Sequence, residues 1–160
     1  MPIICNVIAE ASTTIEKLMQ RRIVTISPDE TLGHVRELFQ AHRFHHLLVV
    51  ENRRLVGVIS DRDLLRNLSP FVGNALNERT QDVATLNRKA HQIMTRRIVS
   101  GTADMKLADA INLILEHGVS CIPILDGAGE PIGILSWRDI LRGLVSGGGE
   151  GETGHRELQV

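Results

Sequence analysis

The sequence is poor in aromatic residues and in cysteine. Its 160 residues include no Tyr, one Trp and three Phe. Single-stranded nucleic acids are bound by stacking their bases on aromatic side chains, so this composition argues against that class of function. Two cysteines, Cys5 and Cys121, are too few for a disulfide framework. The cysteine content therefore predicts a reducing compartment, the cytoplasm.

An excess of charge of one sign and long apolar runs are lacking as well. Eighteen Lys and Arg residues face nineteen Asp and Glu residues, for a formal net charge of −1. No global field attracts nucleic acid or an anionic membrane, so any anion binding must be local. No apolar stretch approaches the roughly 18 residues that cross a bilayer, and the N-terminus does not resemble a signal peptide. We expect no nucleic-acid and no membrane partner.

What the sequence does contain is an internal repeat. Met19–Val24 returns as Met94–Val99, at an offset of 75 residues. After one extra residue in the turn that follows Asp126, Gly57–Arg66 returns as Gly133–Arg142 at an offset of 76. A repeat of this length predicts two copies of one structural unit.

Each copy shows the same order of patterns: strand, helix, two strands, helix. The helices follow from apolar residues at helical spacing, with Thr31 as the N-cap of the first. The predicted strands are Ile23–Ile26, Leu47–Val50 and Leu55–Ile59, then Ile98–Ser100, Ile122–Leu125 and Ile132–Leu135. One such unit cannot bury both faces of its sheet. The predicted fold class is therefore α/β, of the α+β kind, with two pseudo-twofold related β-α-β-β-α units around a cleft.

The predicted boundaries follow from the same patterns. The first unit spans residues 12–69 and the second spans 91–145. Residues 70–90 form an exposed helical connector, and the Gly-rich tail at 146–160 is expected to be disordered.

The motif Gly-h-h-Ser-x-Arg-Asp, with h apolar, occurs at Gly57–Asp63 and again at Gly133–Asp139. It lies where a strand ends and a helix begins, and free backbone N–H groups there attract anions. A carboxylate can hold ribose hydroxyls, and a guanidinium can hold a phosphate. Ser-x-x-Asp is also the pattern of a capping box, which only closes a helix end. The recurrence of the arginine favours a ligand site, although both interpretations stay open.

Residues 12–145 resemble a tandem pair of CBS domains, the repeat of the cystathionine-β-synthase type. The resemblance is carried by Val24–Asp29, Ser120–Asp126 and the two Gly-h-h-Ser-x-Arg-Asp segments. It implies the fold called a Bateman module, with up to two sites for AMP, ADP, ATP or S-adenosylmethionine, and a dimer. By this resemblance Asp63 and Asp139 would hold ribose, while Ser60, Ser136, Arg62 and Arg138 would lie at the phosphate end. Val24, Thr25, Val99 and Ser100 would line the base pocket.

The first copy departs from the family pattern, since Leu48 stands where the second copy has Pro123. His45 and His46 come just before it and are candidates for contact with phosphate. A metal site is disfavoured, because too few ligands converge there. For Arg21–Arg22 and Arg96–Arg97 a solvated face is favoured, with phosphate or dimer contact as the alternative.

No catalytic motif is present in the sequence. We therefore expect a stand-alone regulatory module, not an enzyme, that needs no cofactor and binds an adenine nucleotide as a regulatory ligand. It would signal by a conformational or oligomeric change, as a homodimer that acts on an unknown regulated protein. The alternatives are a ligand-free interaction scaffold and an S-adenosylmethionine sensor.

Overall fold

The computed structural model describes residues 14–42 and 44–146. Residues 12 and 13 of the predicted first unit, and 147–160 of the predicted tail, lie outside the described residues. The strands are β1 (Thr25–Ile26), β2 (His46–Glu51), β3 (Arg54–Ser60), β4 (Cys121–Leu125) and β5 (Pro131–Ser136). The α-helices are α1 (Leu32–Ala41), α2 (Asp61–Asn67), α3 (Thr80–Ala84), α4 (Leu107–His117) and α5 (Trp137–Ser146). Short 3-10 helices lie at Ile15–Lys17, Thr85–Asn87 and Ala90–Gln92.

The first unit has the predicted three-stranded sheet. Strand β1 pairs in parallel with β2, and β2 pairs antiparallel with β3. A tight turn joins β2 to β3, with Asn52 at φ 49° and Arg53 at φ 67°. Two successive residues at positive φ are what a two-residue hairpin of matching twist requires. Helix α1 begins as predicted, because the Thr31 side chain accepts a hydrogen bond from the His34 N–H at 3.3 Å.

The second unit repeats this architecture with one strand fewer. Strands β4 and β5 form the antiparallel hairpin. The predicted strand at Ile98–Ser100 is wrong: the only pairing found in this part of the described chain is a single parallel bridge from Gly101 to Ile124. The Gly101 N–H donates to the Pro123 carbonyl, and the Leu125 N–H donates to the Gly101 carbonyl. The chain therefore meets the sheet one residue later than the apolar run suggests.

Each unit has its own aliphatic core beneath its sheet. In the first unit, Leu32 and Val35 of α1 are fully buried against Leu47, Val49 and Ile59. In the second, Leu107 and Ala110 of α4 are buried against three apolar strand residues, Ile122, Ile124 and Leu135. The apolar helix faces predicted from the spacing therefore face these cores.

The segment that leads into each unit packs into the core of the other. We call residues 14–24 and 89–99 the first and second leading segments. Ile15 and Met19 of the first are buried in the core of the second unit. Ala90 of the second is buried in the core of the first unit. The Gln20 N–H donates to the Ile134 carbonyl on β5, and Thr95 makes the equivalent bridge to Val58 on β3.

The glycine of the repeated motif permits this exchange. A Cβ at Gly57 would overlap the Met94 side chain, and a Cβ at Gly133 would lie 3.0 Å from the Gln20 carbonyl oxygen, which is tighter than most Cβ contacts. A side chain at either position would therefore displace the opposite leading segment, and its absence lets that segment approach β3 and β5 closely.

The stretch between the units is helical only in part. Helix α3 is short, and the two 3-10 helices at Thr85–Asn87 and Ala90–Gln92 follow it. Its beginning is exposed, but Ala90 is fully buried. The expectation of an exposed connector is therefore wrong at its end, because that end also serves as core for the first unit.

Candidate functional site

Two clefts lie between the units in the described part of the chain, and they are built from equivalent parts. The first cleft combines Ser60 and Asp63, at the β3–α2 turn, with the second leading segment and the start of β4. The second cleft combines Ser136 and Asp139, at the β5–α5 turn, with the first leading segment and the start of β2. Each cleft therefore takes residues from both units, so anything bound in it touches both.

The motif closes the N-terminus of its helix in both units. Asp63 Oδ2 accepts hydrogen bonds from the Ser60 N–H at 2.9 Å and from the Ser60 hydroxyl at 2.6 Å. Asp139 Oδ2 makes the same two contacts with Ser136, at 2.9 and 2.6 Å. The Asp63 N–H donates back to Ser60 Oγ at 3.2 Å, which completes a capping box. Capping is thus present, and it uses one oxygen of each carboxylate.

The second oxygen of each aspartate carboxylate, Oδ1, has different contacts in the two clefts. Asp139 is only 7% exposed, and its Oδ1 accepts a hydrogen bond from Gln20 Nε2 at 3.0 Å. Arg142 Nη1 lies 3.8 Å from the same oxygen. Thr95 stands at the place of Gln20 in the first cleft, and Asp63 Oδ1 accepts no hydrogen bond from the described residues. Asp63 therefore presents a free acceptor to its cleft, whereas Asp139 does not.

The clefts also differ in size and in polarity. The first has a volume of about 180 Å³ and a largely apolar wall that includes Val58, Val99 and Pro123. The second has a volume of about 420 Å³ and a more polar, basic wall that includes Arg22 and Arg138.

His46 and Ser120 form the wall between the clefts, since both residues line both of them. His46 Nε2 lies 2.8 Å from Ser120 Oγ. Burial lowers the pKa of His46 below its usual value, and the nearby His45 and Arg138 act in the same direction against Asp61 and Asp63. At neutral pH the shared wall is therefore an uncharged imidazole beside a hydroxyl.

His45 is fixed by an acidic neighbour at the rim of the second cleft. Its Nδ1 lies 2.7 Å from Asp61 Oδ2. Burial raises the pKa of Asp61, but the hydrogen bonds from His45 and from the Arg62 N–H outweigh this effect and hold the pKa below its ordinary value. Asp61 is therefore ionised at neutral pH and orients the imidazole.

Most of the predicted site residues line a cleft, and some do not. Those that do are Ser60, Asp63, His46 and Val99 in the first cleft, and Ser136, Arg138, Asp139, His45 and His46 in the second. Val24, Thr25, Ser100 and Arg62 line neither cleft within the described structure. Val24 instead packs against the first core, and Arg62 is exposed on α2. What these residues do remains a prediction.

The clefts are also lined by two arginines for which the sequence favoured a solvated face, with phosphate or dimer contact as the alternative. Arg22 and Arg97 stand at equivalent positions in the two leading segments and line the second and the first cleft, respectively. Their recurrence at an offset of 75 was the available signal, although it also fits a solvated face. Gln20 and Ser120 carried no such signal, because the equivalent residues of the other copy, Thr95 and His45, are of different types.

Burial raises the pKa of the Cys121 thiol to about 12, so this residue of the first cleft stays protonated. Among residues 14–42 and 44–146, no group of three or more His, Cys, Asp or Glu side chains could hold a metal ion. No helix in that part of the chain is long and apolar enough to cross a membrane.

Known proteins share both the sequence pattern and this architecture. A protein of Dictyostelium discoideum described as CBS domain-containing is 31% identical over 133 residues, which cover 82% of this chain and 90% of that protein. The crystal structure of CBSX2 in complex with AMP is 26% identical, with a TM-score of 0.67 over 83% of this chain and 96% of that one.

Other relatives are longer proteins that share only this part. An inosine-5'-monophosphate dehydrogenase of Methanocaldococcus jannaschii is 28% identical over 128 residues, but the chain spans only 23% of its length. The family model of the CBS domain matches residues 15–70 and again 90–146, which are the two units described above. The chain belongs to the CBS domain family, as a tandem pair of CBS domains folded into one Bateman module.

Proposed function

We propose that this protein is a non-catalytic regulatory module that binds an adenine nucleotide in the clefts between its two CBS units. The observation that carries the proposal is that each cleft joins the strand–helix turn of one unit to the leading segment of the other. A ligand held there bridges the units, so its binding energy can favour one arrangement of them over another. A partner protein that distinguishes these arrangements would then respond to the nucleotide.

The chemistry of the first cleft supports an adenosine-containing ligand. Its apolar wall suits a purine ring, and Asp63 Oδ1 is free to accept ribose hydroxyls. Arg97 supplies a guanidinium for a phosphate. The solved relative CBSX2 is described in complex with AMP, and the likeness extends over most of this chain.

The proposal includes a homodimer. Leu65 on α2 and Leu141 on α5 occupy equivalent positions and are 73% and 51% exposed. Such a matched pair of apolar side chains suits an interface of near-twofold symmetry. On the cysteine content given above, the module would act in the cytoplasm. The protein that it regulates would be one whose association with the module depends on the nucleotide.

A melting screen tests the proposal. Adenosine, AMP, ADP and ATP are added to the whole chain, with GMP as a control for the base. At a hundredfold excess over its dissociation constant, a ligand should stabilise the fold by about 2.7 kcal/mol, or about 5–10 °C in Tm. If no adenine compound raises the Tm above the GMP control, the ligand-free scaffold is the better interpretation.

A further inference from the structure

The two clefts share one plan but carry different charges, and this difference refines the proposed function on which the inference rests. Among the described residues, three arginines line the second cleft, Arg22, Arg138 and Arg142, beside the single carboxylate of Asp139. In the first cleft one arginine, Arg97, stands beside one carboxylate. The second cleft is therefore built for a ligand with several negative charges.

Helix α5 turns its basic residues toward the second cleft, and helix α2 does not do so toward the first. Arg138 and Arg142 are four residues apart, so they lie on one face of α5. Their equivalents on α2, Arg62 and Arg66, are absent from the described lining of the first cleft. Trp137 helps to fix this arrangement, since the Arg138 guanidinium carbon lies 5.1 Å from the centre of its ring.

The carboxylate of the second cleft is already occupied. Asp139 uses Oδ2 in the capping box and accepts the Gln20 amide at Oδ1. A ribose could reach Asp139 only by displacing Gln20, whereas Asp63 in the first cleft needs no such displacement. The features that recognise a nucleoside thus lie in the first cleft, and those that recognise phosphates lie in the second.

The second acidic residue near the basic group, Asp61, does not reverse this conclusion. Asp61 is bound to His45 at the rim of the second cleft, at 2.7 Å, and so is directed to an imidazole and not to the arginines. The larger volume, about 420 Å³ against about 180 Å³, also leaves room for a chain of phosphates.

We propose that the second cleft is a polyphosphate site, in which Arg22, Arg138 and Arg142 bind a chain of phosphates without recognition of the ribose. Guanidinium groups suit this ligand, because each can donate two parallel hydrogen bonds to phosphate oxygens. A nucleoside triphosphate and inorganic polyphosphate both offer this chemistry. The first cleft selects the adenosine portion and, among the described residues, offers the phosphates one guanidinium only, that of Arg97.

Calorimetric titration separates the two clefts. The whole chain is titrated with adenosine, ATP and sodium tripolyphosphate, as wild type, Arg142→Ala and the matched control Arg66→Ala. Both side chains lie exposed at equivalent helix positions, but Arg142 also lies 3.8 Å from Asp139 Oδ1, so the Tm of each variant is measured beside the titration. We expect Arg142→Ala to weaken tripolyphosphate about tenfold, Arg66→Ala to leave it within about twofold, and neither to change adenosine. Added salt should weaken tripolyphosphate more than adenosine.

A second variant tests the part played by Gln20. Gln20→Thr copies Thr95 of the first cleft and frees Asp139 Oδ1. We expect the adenosine stoichiometry to rise from one towards two per chain. An unchanged stoichiometry would refute the claim that the Gln20 contact excludes ribose.

The possible failures can be told apart. Absence of tripolyphosphate binding, or equal weakening by Arg142→Ala and Arg66→Ala, would overturn the polyphosphate site while adenosine binding still upholds the proposed function. Binding of tripolyphosphate without binding of adenosine would uphold the polyphosphate site and overturn the proposed function. In an Asp63→Asn background, ATP should bind no better than free tripolyphosphate. This result would support the proposal that the second cleft recognises phosphates alone.

Discussion

Replacing each capping aspartate by asparagine should have unequal effects on the two units. Asp63 accepts hydrogen bonds from described residues at Oδ2 only. The substituted amide can place its oxygen there and its NH2 group where no donor opposes it. Asp139 accepts at both oxygens, from Ser136 and from Gln20. An amide at that position faces the Gln20 NH2 group with its own unless the Gln20 amide also turns over, and in either case it removes the buried charge that Ser136, Gln20 and Arg142 surround.

The magnitudes follow from burial and from the number of contacts. Asp63→Asn loses the charge of one helix cap, which costs about 0.5–1 kcal/mol of unfolding free energy. Asp139→Asn weakens charge-assisted hydrogen bonds at both oxygens of a side chain that is only 7% exposed, which brings the cost to about 2–3 kcal/mol. For a chain of this length the difference of about 1–2 kcal/mol corresponds to about 2–8 °C in Tm.

The effects on the affinity for adenosine should have the opposite order, with the larger loss in Asp63→Asn. The free oxygen of Asp63 is available for ribose hydroxyls, and loss of such charge-assisted bonds weakens binding about tenfold to a hundredfold. Asp139→Asn should leave adenosine affinity unchanged. Melting curves and titrations with adenosine on both variants check this pairing of effects. Equal Tm losses would contradict the structural argument, and unchanged affinity in Asp63→Asn would mean that its carboxylate is only a helix cap.

Three other substitutions probe the exchange of leading segments and the shared wall. Gly133→Ala should cost about 1–3 kcal/mol in urea unfolding, because the added Cβ meets the backbone oxygen of Gln20 at 3.0 Å; a cost below about 0.5 kcal/mol would show that the segment shifts freely. Ile15→Ala should cost about 2–5 kcal/mol in the same assay, since Ile15 is fully buried in the core of the second unit; a neutral result would place the first leading segment elsewhere. Because burial lowers the pKa of His46, the unfolded chain, with its ordinary value of 6.5, binds this proton more readily than the folded one. The unfolding free energy should therefore fall as the pH drops below about 6.5, and His46→Gln should reduce this fall in urea titrations at about pH 7.5 and 5.5; an identical fall in both proteins would assign it to other groups.

The sequence predicts those parts of the fold that depend on local pattern. The repeat and the period of the apolar residues gave two helix faces and two hairpins that the structure confirms. Thr31 was identified as a cap because its side chain acts on its own helix. Such features need no knowledge of the opposite unit.

What the sequence does not predict is the exchange between units. Ile15 and Ala90 are ordinary apolar residues whose spacing cannot tell which core receives them. The apolar run at Ile98–Ser100 satisfies a strand pattern, yet the chain there lines a cleft and meets the sheet only at Gly101. Arg62 and Arg138 hold the same place in the repeated motif, but the residue before the arginine is Asp61 in one copy and Trp137 in the other, and only Trp137 lies against the guanidinium. The first two outcomes depend on long-range contacts that a local pattern does not encode.

The crossed leading segments have a consequence for how the chain can be divided. If the chain is cut at the connector, each half carries the leading segment that packs into the core of the other half. Each half therefore lacks part of its own core, and the other half can supply that part. Two fragments, 1–78 and 79–160, should reconstitute the fold when mixed, with the second fragment supplying Ala90 to the first and the first supplying Ile15 to the second. The two halves of the single chain are thus related to each other as the subunits of a heterodimer are. The covalent link between them raises their local concentration, while the contacts between them determine the fold.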